Sequence, residues 1–282
     1  MHKVVQIDGG IGRCLCATGA LERLYERTQE KIVVLSAWPD VFANAPYVSK
    51  CYNLANVQYL YDDIIKHGDY SAPEPYQSQL YYNQKHHLIT SFNYLLNGEE
   101  DKPNPTIYLT EAETAFAKET IKQAKTAAGA SKVIAFQPYG SGAKFYPDTG
   151  KLIDESNRSL TLETVDYILK SYEDTVFLNL SHIPINHNKV WNQQLSTRQF
   201  FALVAEADEV VTVDSLLSHV GRAFNKKGIL FLGGTYPENV GYEEYTTIIK
   251  PGYPKSYVPN RFGGFVDLNS GAMENLETRL SN

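Results

Sequence analysis

The feature that most constrains this chain is a recurring unit. A short β-branched run breaks at small or acidic residues and passes directly into a helical stretch. Val4-Val5-Gln6-Ile7 ends at Asp8-Gly9-Gly10-Ile11-Gly12, and a helical pattern follows from about Arg13 to Thr28, with Leu15, Leu21 and Leu24 available to cover a sheet. Val133-Ile134-Ala135-Phe136 ends at Gln137-Pro138-Tyr139-Gly140-Ser141-Gly142-Ala143-Lys144. Val210–Val213 ends at Asp214-Ser215 and enters another helix. Short continuous apolar runs alternating with helices predict parallel strands covered on both faces, and so an α/β protein.

The chain has 282 residues, which is long for one core and comfortable for two. Further strands are expected at Ile32–Leu35, Tyr47–Leu54, Ile107–Leu109, Thr175–Leu180 and Ile229–Leu232. Helices are expected over residues 84–96, 111–127, 160–172, 197–207 and 215–224. Residues 61–84 carry proline and polar punctuation without periodicity and read as a long loop, a kind of segment that is often functional. Ala128-Gly129-Ala130-Ser131 is the best linker, dividing the chain into domains of residues 1–130 and 131–258. Residues 259–282 form a C-terminal segment expected to return to the first domain.

Composition excludes several classes. No segment approaches the run of about 20 apolar residues that a membrane helix needs. His2-Lys3 leads straight into the first strand rather than into the apolar core of a signal peptide, so a cytoplasmic location is expected. Three cysteines without a Cys-x-x-Cys pair suggest neither a disulfide framework nor a zinc site. The net charge of −6 divides evenly between the two halves, so neither half is a basic nucleic-acid module.

Four turns follow strands, and each has a structural and a functional reading. The glycines of residues 9–12 permit a sharp turn and close approach to a helix N-terminus, or serve packing alone. Gly10-x-Gly12 begins the dinucleotide fingerprint, but its third glycine is replaced by Leu15, which disfavours a nicotinamide enzyme. Ser141 and Lys144 offer a hydroxyl and a positive charge suited to a diphosphate, or belong to a solvated loop. Asp214 or Ser215 suits a helix cap, and His219 lies about one turn further on, near the face of Ser215. That segment is a second anion site or a capped helix with a core histidine. Gly233-Gly234-Thr235 follows the last of these strands and permits close ligand approach, or forms a plain turn.

Taken in order, these segments resemble the heptosyltransferase-type glycosyltransferases, the family that adds ADP-heptose to lipopolysaccharide cores. Gly9–Gly12 with Ala17–Leu21 resembles the family's N-terminal glycine turn and first helix. Pro46-Tyr47-Val48 resembles the entry to its third strand, and Pro138–Lys144 with Pro147 its phosphate loop. Val213–His219 and Gly233–Pro237 resemble its Asp-Ser/Thr-Gly-x-x-His motif and the loop after it. The resemblance implies a GT-B architecture of two facing Rossmann-like domains, with acceptor on the first and nucleotide-sugar on the second. It implies inversion at the anomeric carbon and no metal or cofactor. Carried over, Gly10, Gly12, Ser141, Lys144, His182, Asp214, Ser215, Ser218, His219, Gly234 and Thr235 form the donor side.

The chain departs from the pattern where the family places the aspartate that acts as general base, because that position is Arg13. Leu216 replaces a glycine, and Ser181-His182 stand where an acidic donor-binding residue is common. Asp8, at the end of the first strand, becomes the candidate base, or else a turn-stabilising residue. Arg13 becomes a candidate phosphate ligand. Tyr76, Lys85 and His86 lie in a stretch that mixes aromatic and basic groups and are expected on the acceptor side. The acceptor is then a saccharide or a hydroxylated DNA base. A nucleotide-sugar-binding relative without catalysis stays open.

Overall fold

The computed structural model describes residues 2–154, 158–233 and 235–249. The chain opens with β1 (His2–Ile7), α1 (Ile11–Thr28), β2 (Ile32–Ser36) and β3 (Val48–Asn53). Two short elements, α2 (Leu60–Asp63) and β4 (Gly68–Ser71), precede α3 (Gln79–Tyr82), α4 (Leu88–Asn97) and α5 (Glu111–Ala128). The second half contains β5 (Lys132–Gln137), the hairpin β6 (Lys144–Tyr146) and β7 (Lys151–Ile153), α6 (Leu162–Ser171), β8 (Thr175–Asn179), β9 (Val190–Asn192) and α7 (Thr197–Glu206). It closes with β10 (Glu209–Val213), α8 (Leu216–Ala223), β11 (Gly228–Leu232), α9 (Pro237–Val240) and β12 (Tyr245–Ile249).

Two parallel sheets result. The first has the order β3-β2-β1-β4 and the second β12-β11-β10-β5-β8-β9. In both, the chain winds outward in two directions from the first strand. The order therefore reverses at β1/β4 and at β5/β10, and these are the positions where open parallel sheets bind ligands beyond their carboxyl ends.

Burial explains the apolar runs. On the second sheet, Val133, Ala135, Val176, Leu178 and Val210 face one core, while Ile134, Phe136, Phe177, Val211 and Val213 face another beneath α6. Both faces are dry, so the strands need not alternate apolar with polar. On the first sheet, Val5, Ile7 and Val34 face α1 and α4, whereas Val4 and Leu35 face Ile64 and the segment after β3. Fully burying a leucine such as Leu15 or Leu21 contributes about 2 kcal/mol. The larger core is continuous, joining residues of both sheets through α1, α5, α7 and α8. Helix α5 packs on β5 and β8 of the second sheet and on helix α7, all of which follow it in the chain.

Two sequence expectations fail. Residues 61–84 are not one long loop, because they contain β4, which pairs in parallel with β1 from His2↔Gly68 to Val5↔Ser71. Its sequence, Gly-Asp-Tyr-Ser, carries no apolar signal because β4 is an exposed edge strand. Ile107–Leu109 is not a strand. Its neighbourhood satisfies its backbone with side chains instead: the Thr106 amide donates to the Thr18 hydroxyl, and the Tyr108 carbonyl accepts from Arg198. Gly234 and residues 250–282, including the expected returning segment, lie outside the described residues.

Candidate functional site

The β5/β10 reversal gathers the groups of the second half. After β5, Ala143 N donates to the Gly140 carbonyl and closes a turn that delivers Lys144, exposed, onto the β6–β7 hairpin. Ser141 is exposed on the same turn. His182, beyond β8, is tied to that turn by a 2.8 Å hydrogen bond between Nε2 and the Ala143 carbonyl. After β10, Asp214 is buried, accepts from the Thr235 hydroxyl at 2.6 Å and faces Arg158 at 3.7 Å. The loops after β10 and β11 are thus locked together, with a cation beside their carboxylate.

The start of α8 is capped differently from expectation. Neither Asp214 nor Ser215 caps it. The Gln137 carboxamide oxygen accepts from Leu217 N at 3.2 Å and from the Ser215 hydroxyl at 2.8 Å. A side chain from β5 therefore satisfies an orphan amide of α8 and fixes the two elements of the reversal to each other. Ser218 is buried, and its hydroxyl donates to the Ser215 carbonyl.

His219 sits under this site at the junction of the halves. Its Nδ1 is 2.6 Å from the Tyr242 hydroxyl, and its ring lies edge-on to His87. Burial drives His219 down to about 4, with Asp214 opposing the fall and Arg158 adding to it. Burial, then the charges of His219 and Lys102, holds His87 well below the ordinary histidine range. Both imidazoles are therefore neutral near pH 7. Gly12 abuts this junction: a Cβ there would come within 3.2 Å of His219 Cδ2. Gly12 thus allows α1 and α8 to cross closely, which is a packing role at the position expected to touch donor.

At the first half's reversal, Gly9 takes φ +95 to make the turn, and Gly10 is the N-cap residue of α1. Asp8 is exposed and accepts from Gln6 Nε2 at 2.7 Å. Arg13 is not presented to a phosphate. It is buried, 2.8 Å from Glu74 and flanked by the rings of Tyr76 and Phe92. Tyr76, expected on the acceptor side, forms part of this plug and packs edge-on to Tyr81. Lys85 is exposed, and His86 is half-buried with its carbonyl bonded to Asn239 Nδ2 at 2.8 Å. Asn239, on α9 of the second half, also donates to the Tyr81 carbonyl and so stitches the 81–86 segment across.

Sequence reasoning missed Glu74, Gln137, Arg158 and Asn239. Each acts on a partner distant in the chain, and none stands out in its local pattern. Among the described residues, no group of three or more His, Cys, Asp or Glu is arranged to hold a metal ion, and no helix is long and apolar enough to cross a membrane.

No protein-family profile matches the chain, and no curated protein matches its sequence. Solved structures do match. A glycosyl transferase family 9 protein from Veillonella parvula superposes with a TM-score of 0.60 at 14% identity, covering 88% of this chain and 85% of its own. The E. coli ADP-heptose lps heptosyltransferase II gives 0.60 at 14% identity, covering 99% and 98%. E. coli heptosyltransferase WaaC with ADP gives 0.55 at 14%, covering 89% and 94%. Over nearly its whole described length, the chain has the fold of the heptosyltransferase-type glycosyltransferases.

Proposed function

We propose that this chain is a glycosyltransferase that moves a sugar from a nucleotide-diphosphate sugar to an acceptor hydroxyl, with inversion and without a metal or other cofactor. The observation that carries the reading is the β5/β10 reversal. There the turn after β5 is bonded through the Gly140 amide to the Ser159 hydroxyl, next to Arg158, which faces the Asp214–Thr235 pair, and the exposed Ser141 and Lys144 lie on that same turn. The fold is shared with proteins named as acting with ADP-heptose, which supports a nucleotide-sugar donor. The absence of a membrane-crossing helix among the described residues is compatible with work in the cytoplasm.

In this reading the acceptor hydroxyl displaces the nucleoside diphosphate directly, through a transition state with oxocarbenium character. Negative charge grows on the leaving diphosphate, where Lys144 and Arg158 stabilise it. Asp8, exposed at the end of β1, takes the acceptor proton. A thermal-shift screen against nucleotides and nucleotide-diphosphate sugars tests the donor assignment: a shift with one nucleotide series is expected, and none with any would overturn it. Asp8→Asn should abolish transfer while donor affinity stays within about twofold, a split that only an interaction made in the transition state produces.

One observation favours a second reading, a nucleotide-sugar-binding protein without transfer. The place where the resemblance expects a catalytic carboxylate holds Arg13, and that residue is engaged by Glu74. Donor binding without turnover on any acceptor would select it.

A further inference from the structure

The donor reading leaves the neighbours of His219 without a role. Tyr242 is buried beside the crossing of α1 and α8, and its hydroxyl oxygen is 2.6 Å from His219 Nδ1. Its ring is held edge-on between His219 and Tyr245 and tilted against His87. Cys16, buried on α1, hydrogen-bonds the same hydroxyl. Burial holds both the phenol and the thiol far above their ordinary ranges, so both keep their protons. The other ring nitrogen of His219, Nε2, has no hydrogen-bond partner among the described residues and is not sealed from solvent. It lies at the glycine turn, 3.8 Å from where a Cβ on Gly12 would stand. The ring also feels the charges of Asp214 and Arg158, the pair at the β5/β10 reversal.

From this chain of contacts we infer that Tyr242 is a positioning residue: its hydroxyl donates to Nδ1 and holds His219 in the tautomer that presents Nε2–H to an oxygen of the donor's diphosphate. The inference rests on the glycosyltransferase reading and adds to it a residue that touches no substrate. A neutral imidazole has one donor and one acceptor nitrogen. Were Nδ1 the donor, the Tyr242 hydrogen would be left with the Cys16 sulfur, a weak acceptor, in a place without water to replace it. In the opposite sense every hydrogen is placed. The thiol donates to the phenol oxygen, the phenol donates to Nδ1, and Nε2–H remains for a ligand. The bond made at one ring nitrogen thus decides what the other carries. Nε2 with its proton attracts a phosphate oxygen, whereas the bare nitrogen would set a lone pair against it. A neutral donor also suits the surroundings. An imidazolium here would be a second desolvated cation in the field of Arg158, while the neutral ring offers its hydrogen bond without that cost. As charge grows on the leaving diphosphate, a donor fixed beforehand strengthens its bond without rearranging.

The full chain, labelled with ¹⁵N-histidine, reports the tautomer of each ring by long-range ¹H–¹⁵N correlation, with His219 assigned from its loss in His219→Gln. The probes are ADP, UDP and inorganic pyrophosphate, with affinities read by calorimetry. In the free protein His219 should carry its proton on Nε2, and that resonance should move when a probe binds. Tyr242→Phe keeps the ring and removes the hydroxyl. It should bring a mixture of the two tautomers and weaken binding of the probe about fivefold or more. Tyr245→Phe is the control for loss of a hydroxyl in the same cluster, because the Tyr245 hydroxyl bonds the Ser218 carbonyl and not His219. It should leave the tautomer and the affinity as they are. A proton on Nδ1 in the free wild-type protein, or an Nε2 resonance indifferent to a bound probe, would overturn the inference without recourse to any variant. Equal effects of Tyr242→Phe and Tyr245→Phe would do the same, by reducing Tyr242 to packing. In each of these cases the wild-type protein still binds its probe, so the glycosyltransferase reading stands. Binding of none of the three probes would overturn that reading and this inference together.

Discussion

The two halves share a winding plan and use it differently. In each, a crevice opens where strand order reverses. At β1/β4 the α1 side of that crevice is filled, with Arg13, Glu74, Tyr76 and Phe92 packed into a plug. At β5/β10 the corresponding place holds the polar groups Asp214, Thr235, Arg158 and Gln137, with Lys144 projecting nearby. The same topology therefore supports a packed strut in one half and a hydrogen-bonded cluster of polar groups in the other. Topology selects the place, and the side chains decide whether it is closed.

The comparison breaks most sharply at the plug. Glu74→Ala leaves a buried guanidinium without its carboxylate and should destabilise the protein by about 3 kcal/mol, read from urea unfolding. Arg13→Met with Glu74→Leu should recover most of that loss. If Glu74→Ala costs nothing, the first crevice is not a strut. At the open rim the effect should fall on ligand rather than on stability. Lys144→Ala is expected to weaken nucleotide-sugar binding about tenfold, measured by calorimetry, with an unchanged melting temperature.

The junction between the halves should respond to pH. His219 has a folded value near 4 against an ordinary 6.5, and His87 is also lowered. The unfolded chain therefore binds more protons across that interval. The stability from keeping these rings neutral is complete above about pH 6.5 and is lost as pH falls towards 4. Melting temperatures from pH 7.5 to 5 should decline, and His219→Gln should flatten the decline; a slope unchanged by that variant would remove His219 as its source. The smallest effects concern the α8 cap. Gln137→Ala should cost about 1 kcal/mol. Ser215→Ala should cost less, because its hydroxyl donates to Gln137 and caps nothing itself. The reverse order would restore Ser215 as the cap.

What the sequence made legible was whatever is decided locally. The buried strands β1, β2, β5, β10 and β11 announced themselves through short apolar runs, and α5 through its continuous helix-forming composition from Glu111. Of the groups beyond the second sheet, Asp214 and Thr235 were legible because they follow strands directly, whereas Gln137 and Arg158 were not, since their partners lie far away in the chain. Edge strand β4 was hidden, since an exposed edge needs no apolar pattern. Ile107–Leu109 misled for the opposite reason: its composition suits a strand, but among the described residues no strand pairs with it. Arg13 was unreadable alone, because its partner lies 61 residues away and one guanidinium suits a phosphate or a carboxylate equally.

The continuous core has a consequence for how the molecule comes apart. Leu15 and Leu21 on α1, Phe201 on α7 and Leu217 on α8 belong to one apolar body that both sheets share. Neither half can shed its partner without wetting its own interior. Heat or denaturant should therefore melt the two sheets in a single cooperative transition. Severing the chain at residues 128–131 should yield fragments that need each other to fold, and a damaging substitution in either half should lower the midpoint reported by probes in both.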